Sequence, residues 1–338
     1  MPEYLFPNRN EYLDKYLFPF EKDDELEETG TQYFELIISI GKFLTDNSYL
    51  SSISIPADIK YCVLDVSFDA NEYNITDAYD ALTGRGEFEI SEKLNATLDA
   101  ILPHQQIEYL YCGFQLKNIA AFTNLKTLIL YHCDIYYPLD NLPESLIRLE
   151  IFASEFSSTL DNLPPNLKVL RIETGGIGNY CSGYPHPLNN LPNGLEILYF
   201  PETISMDSED YPANFDNLPS GLKYLYLPPY LSEQINFNLI PDSVEVIEFH
   251  HYPEFVEKIT KYPKSLKKVY TNCNILRKFE PLSNEADRML FESLFGSFNY
   301  IDTVRNCLTN NGYLGKFEIY TNTADVYSKN KEYTLVSF

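Results

Sequence analysis

The chain has 338 residues, with 25 Lys and Arg against 49 Asp and Glu, a formal net charge of −24, 28 Tyr, 22 Phe and no Trp. That length buries a core without covalent staples, and 44% hydrophobic against 22% charged residues excludes a disordered chain. The acidity argues against a general nucleic-acid binder, which neutralises phosphates with Lys and Arg.

Residues 1–28 show no basic segment leading into an apolar run, so no secretory signal is expected. No apolar run reaches the roughly 18 residues that a membrane helix requires. Six scattered cysteines (Cys62, Cys112, Cys133, Cys181, Cys273, Cys307) without a CxxC pair read as reduced thiols in an intracellular, cytoplasmic protein. The sequons at Asn74 and Asn95 then read as chance matches.

At the N-terminus Tyr4-Leu-Phe-Pro7 is duplicated as Tyr16-Leu-Phe-Pro19. We read this as aromatic packing onto a cap, with a pair of docking motifs as the alternative. The pattern over Gln32–Leu44 predicts a helix with Phe34, Ile37, Ile38, Gly41 and Leu44 inward. A second helix is expected over Ser91–Leu102, capped by Ser91, with Leu94, Leu98 and Ile101 on its apolar face. Residues 1–100 hold 7 basic and 21 acidic groups, so the acidity is concentrated there.

Self-similarity organises the middle of the chain. LDNLPESLIRLEI from Leu139 recurs as LDNLPPNLKVLRI from Leu160, LNNLPNGLEILYF from Leu188 and FDNLPSGLKYLYL from Phe215. FNLIPDSVEVIEF from Phe237 and ITKYPKSLKKVYT from Ile259 follow. Their prolines (Pro143, Pro164, Pro192, Pro219, Pro241, Pro263) are 21, 28, 27, 22 and 22 residues apart. Weaker copies keep the LxxLxL core at Ile107–Cys112 and Leu125–Leu130, and Ile55–Leu64 is an outlying copy or part of an N-terminal cap. In one unit Leu170 and Ile172 share a strand face, Leu167 enters from a turn, and Pro164 suits the approach to the strand because it lacks a donor. Such a unit cannot bury its apolar side alone, so stacked units form a continuous core and a parallel sheet. The two longer spacings contain residues 175–187 and 201–212, read as tolerated loop insertions with a binding rim as the alternative.

This pattern resembles leucine-rich repeats. Leu125-Lys-Thr-Leu128-Ile-Leu130-Tyr-His-Cys133-Asp-Ile135 matches the LxxLxLxx(N/C)xL signature, and the repeat is similar to the FNIP variety found in amoebae and some large viruses of protists. The resemblance covers about Pro103 to Asn274. It implies an α/β leucine-rich-repeat solenoid, with a curved parallel sheet, an irregular convex side and caps at both ends. The Cys133 position becomes Ser154, Gly175, Thr203, Tyr230, Tyr252 and Asn274 in later units, so a regular ladder is not expected there. The division expected is 1–102 as an acidic α/β cap or small domain, 103–276 as repeats, and 277–338 as a cap of helices and a strand pair. In that last part, Ser283–Phe295 and Tyr300–Leu308 read as helices, the second stopped near Asn310-Asn311-Gly312. Lys316–Thr321 and Glu332–Phe338 read as strands.

No phosphate loop, dinucleotide fingerprint or nucleophile elbow appears. Adjacent His250 and His251 face opposite sides of a strand, and Cys181 with His186 supplies two ligands where zinc needs more. No cofactor, metal or catalytic residue is expected, and the chain reads as a non-enzyme. Function is sought instead on the outward strand face. One outward column reads Tyr111, Ile129, Glu150, Arg171, Tyr199, Tyr226, Glu248 and Tyr270, and the next includes Tyr131, Phe152, Glu173 and His250. Tyrosine-rich strips suit protein recognition, because Tyr offers apolar area and a hydroxyl at little rotamer cost. Its strand propensity and ring-ring packing are the plainer explanation.

The expected function is non-enzymatic binding of a protein partner on the concave face. Alternatives are a substrate-recognition subunit of a ubiquitin ligase, although no F-box pattern is found, and a structural component of a larger, viral assembly. For the latter the location is host cytoplasm or virion. Lys258, Lys261, Lys264, Lys267, Lys268, Arg277 and Lys278 form a basic stretch, read as balancing nearby acidic surface. It is the one place where nucleic acid would find cations.

Overall fold

The computed structural model describes residues 36–40, 42, 48–56, 58–65, 88–131, 138–153, 159–174, 186, 188–199, 217–227, 237–249, 261–271, 300–322 and 333–337. The chain divides into two compact units, residues 10–219 and residues 220–338.

In the first unit the described elements are β1 (Leu36–Ser39), α1 (Tyr49–Ser52), β2 (Tyr61–Asp65), α2 (Phe88–Ile101) and β3 (Tyr109–Cys112). A 3-10 turn (Ile119–Ala121), β4 (Thr127–Tyr131), β5 (Arg148–Ala153), β6 (Val169–Thr174) and β7 (Ile197–Tyr199) follow. Each strand pairs in parallel with the next along the chain. The register aligns Leu110, Leu128, Leu149, Leu170 and Leu198 into one column, and Cys112, Leu130, Ile151 and Ile172 into another. Both columns are buried, together with Ile107, Leu125, Leu146, Leu167 and Leu195 from the preceding turns. One coil buries little alone; stacking makes the leucines a shared core. This is the fold of a leucine-rich-repeat solenoid.

The proline has a defined place in each coil. Leu146 N–H donates to Pro143 C=O at 3.0 Å, Leu167 to Pro164 at 3.1 Å and Leu195 to Pro192 at 3.0 Å. P-x-x-L is therefore a β-turn in which proline supplies the acceptor carbonyl, so its missing N–H costs nothing. Turn side chains then reach back one coil: Ser145 Oγ donates to Leu125 C=O at 2.8 Å, and Asn166 Nδ2 to Glu144 C=O at 2.9 Å. The Asp-Asn pair does likewise. Asn162 Nδ2 donates to Asp140 Oδ1, and Asn190 Nδ2 to Asp161 Oδ1, each at 3.0 Å.

The second unit contains β8 (Tyr224–Leu227), a 3-10 turn (Phe237–Leu239), β9 (Val246–Phe249), β10 (Lys268–Thr271), α3 (Tyr300–Asn310), β11 (Glu318–Asn322) and β12 (Tyr333–Leu335). Strands β8 to β11 pair in parallel, and β12 returns antiparallel to β11. The proline turn recurs here as Val244 N–H to Pro241 C=O at 3.1 Å. Helix α3 ends where expected, with Gly312 at φ 74°. That left-handed backbone is open to Gly without a Cβ penalty.

One expectation is corrected. The helix predicted over Gln32–Leu44 is, where described, the strand Leu36–Ser39, with Leu36 and Ile38 buried and Ile37 45% exposed. Short apolar runs are ambiguous in period, and adjacent β-branched residues favour a strand once β2 offers a paired edge. Helix α2 is found as expected, with Leu94 and Leu98 buried, although it starts at Phe88, ahead of Ser91. Strands β1 and β2 carry the parallel sheet upstream of residue 103, and β2 places Cys62 and Leu64 in the core. The Tyr-Leu-Phe-Pro duplication, the insertions over 175–185 and 201–212, and the helix expected over Ser283–Phe295 lie outside the described residues.

Candidate functional site

Alternation along each strand puts leucines on one face and the candidate residues on the other. In the first unit the register aligns Tyr111, the buried Ile129, Glu150, Arg171 and Tyr199 in one column, with Tyr131 and Phe152 in the next. Tyr111 and Tyr131 ring centroids lie 5.6 Å apart, as do those of Tyr131 and Phe152. The Arg171 guanidinium then sits 5.0 Å from the Phe152 ring and 5.0 Å from the Tyr199 ring. An aromatic row thus runs into a cation held between two rings.

Exposure divides this row. Tyr111, Tyr131 and Phe152 are half-buried, whereas Glu150 is 0%, Arg171 3% and Tyr199 7% exposed. Beside Glu150 lies Arg148, also 0% exposed and absent from the sequence-based candidates. Its Nε donates to Glu150 Oε1 at 2.8 Å, an ion pair between residues two apart on one strand face. Among the described residues Glu150 Oε2 is buried without a hydrogen-bond partner. A second ring pair, Tyr61 and Tyr109, stacks at 4.6 Å in the column that Arg148 joins.

In the second unit Glu248 is 2% exposed and accepts hydrogen bonds from Tyr224 Oη and, at 3.1 Å, from Tyr333 Oη. The carboxylate thereby ties the C-terminal strand to the sheet face. Tyr270 is half-buried, stacked 5.0 Å from Tyr320 and meeting Tyr333 edge-on at 5.0 Å. Tyr320 Oη donates to Glu318 at 2.7 Å, which raises the phenol's pKa. Tyr226 is half-buried. His250 and the Glu173 side chain lie outside the described residues.

A polar ladder went unnoticed in the sequence. The residue following the turn leucine reads Lys60, Glu108, Lys126, Ile147, Lys168, Glu196 in the first unit and Lys223, Glu245, Lys267 in the second. Lys60 Nζ lies 2.9 Å from Glu108 Oε1, Lys126 bonds the other oxygen of Glu108, and Lys168 lies 3.6 Å from Glu196. Lys267 pairs with Glu245, and Lys264 with Asp242. The hydrogen bond from Lys126 holds the Glu108 carboxyl below its ordinary range, and that from Lys264 does the same for Asp242. Reading that one position per repeat, with its charge alternating in sign from coil to coil, would have found it. In the described part of the basic stretch, Lys264 and Lys267 are thus paired with acidic neighbours.

Of the three described cysteines, Cys62 and Cys112 are buried and Cys307 is half-buried. Burial pushes the Cys62 thiol up, and the Cys112 thiol up to about 12; Cys112 Sγ also donates to Phe114 C=O at 2.7 Å. Thiols held protonated are poor nucleophiles and ligands. No cluster of three or more His, Cys, Asp or Glu able to hold a metal occurs among the described residues. No described helix is long and apolar enough to cross a membrane.

The family model for the FNIP Repeat matches residues 212–252. The chain carries FNIP-like leucine-rich repeats. In that match lies the FDNLPSGLKYLYL unit, whose Leu222, Leu225 and Leu227 are buried as the FNIP-like coil requires. Among solved structures, the crystal structure of CroV588, described as a novel circular LRR protein, is similar at 17% identity with a TM-score of 0.28. The alignment covers 56% of this chain and 37% of that one, so the FNIP-like chain spans well under half of that protein. No curated protein matches the sequence.

Proposed function

We propose that this FNIP-like repeat protein is a non-enzymatic interaction module that holds a protein partner on the outward, concave face of its sheet. The supporting observation is the half-buried aromatic row Tyr111, Tyr131 and Phe152, three adjacent rings on one face. Rings that keep part of their surface in water, fixed by neighbours, give up little entropy on contact. Tyr226 and Tyr270 are the corresponding candidates in the second unit. Glu150, Arg171, Tyr199 and Glu248, also candidates, would act by bracing this face, since their side chains have almost no surface to offer a partner.

Scattered cysteines without a disulfide framework support an intracellular location. The test is a Tyr111→Ser, Tyr131→Ser double variant used as bait in the native cell. Loss of the captured protein, with the melting curve of the variant still cooperative, supports the reading. Undiminished capture rejects this face.

A further inference from the structure

The second unit contains an open groove of about 690 Å³ between the end of α3, the turn before β11, the starts of β10 and β11, and the end of β12. We propose that this groove docks an acidic, extended peptide segment of a partner protein, one that alternates carboxylates with bulky apolar side chains.

Its lining has two chemistries. Leu314 and Leu335, 41% and 49% exposed, are two of the four large apolar side chains exposed among the described residues, and both line this one groove. Lys268 and Lys316 line it as well, against Glu318 as the one acidic residue among its described lining, while Lys267, also in the lining, is paired with Glu245. In a chain of net charge −24, a site with more cations than anions stands against the general field. An anionic ligand is repelled by most of this molecule and attracted here. Exposed leucines reward burial of an apolar group, which inorganic anions lack. Nucleic acid fits less well. Its affinity comes from many phosphate contacts, and three lysines set beside Glu318 supply few.

Residues of four different elements line the groove, and a ligand that touches all of them is better served by an extended chain than by a compact group. Its base is fixed by the backbone. Glu318 N–H donates to Lys267 C=O at 2.8 Å and Val336 N–H to Ile319 C=O at 2.8 Å, so the three strands are tied together beneath the groove. Gly315, at φ 73°, turns the chain so that Leu314 and Lys316 both reach the groove.

Fluorescence anisotropy on the full chain tests this, with a labelled peptide of alternating Glu and Leu as the probe. Saturable binding is expected, weakened about tenfold by Lys268→Glu with Lys316→Glu and weakened further by added salt. Leu314→Asp, at an exposed turn position, is expected to weaken it too. Binding by the Tyr111→Ser, Tyr131→Ser variant is expected to be unchanged, which separates this groove from the proposed partner face. The proposal is overturned by absence of saturation, by equal affinity in wild type and both groove variants, or by equal binding of a Lys and Leu peptide. Tighter binding of single-stranded DNA through the same lysines also overturns it.

Discussion

Arg148 and Glu150 lie two residues apart on β5, and strand alternation alone puts both on the outward face. Their burial to 0% was not legible, because exposure of that face depends on what lies across it and not on the local pattern. A buried pair is costly to break and cheap to replace. Glu150→Ala is therefore expected to cost ~3–5 kcal/mol, since it strands a guanidinium in a dry site. The double variant Arg148→Met, Glu150→Leu is expected to lose less than either single change. Urea unfolding of the wild type, the two single variants and the double variant checks both statements. The cysteines give a second residue-scale prediction. With the thiol raised to about 12 at Cys112 and raised by burial at Cys62, native protein at pH 8 should leave both unalkylated by iodoacetamide, and urea should expose both. Peptide mass spectrometry decides it; labelling of either in the native state refutes the burial.

Each coil reads clearly as an element because its signals are local and redundant: LxxLxL for the buried columns and a proline before the strand for the turn. The Lys and Glu ladder was hidden because its period is the coil and not the residue. It carries a pH dependence. A carboxyl whose folded pKa is depressed stabilises the fold above its unfolded value and loses that contribution as pH falls through the folded one. Glu108, lowered from the usual 4.5 by Lys126 and Lys60, and Asp242, lowered from 3.8 by Lys264, place that window in the acid range below about pH 4.5. Lys60 and Lys264 are raised from 10.5 by the same bonds, so their contribution is complete below that value and lost in strong alkali. Thermal melts from pH 6 to pH 3 are expected to fall, and less steeply in Glu108→Gln. An identical slope in the variant would remove Glu108 from the account. At the end of α3, Gly312→Ala is expected to cost ~1 kcal/mol, because its φ of 74° is left-handed. An unchanged denaturant midpoint would contradict it.

At the scale of the whole molecule the net charge of −24 is the dominant electrostatic fact. Self-repulsion at that charge opposes compaction, whereas exposed Lys and Glu pairs contribute ~0–1 kcal/mol each. Salt screens both, and the repulsion is the larger sum. Stability is therefore expected to rise as NaCl increases from about 10 to about 200 mM, where the Debye length falls below about 10 Å. A melting temperature that declines over that range would mean that the ladders outweigh the net charge. The sequence by itself determined the repeat, its turn, its buried leucines and the aromatic outward column, because each is set by side-chain period and backbone chemistry within one coil. Tertiary structure alone decided that Leu36–Ser39 is a strand, since the paired edge of β2 chose between two periods. It also decided which outward residues keep surface in water, leaving Tyr111, Tyr131 and Phe152 partly open and closing Glu150, Arg171 and Glu248, because exposure is a property of what packs across a face and not of the strand that presents it.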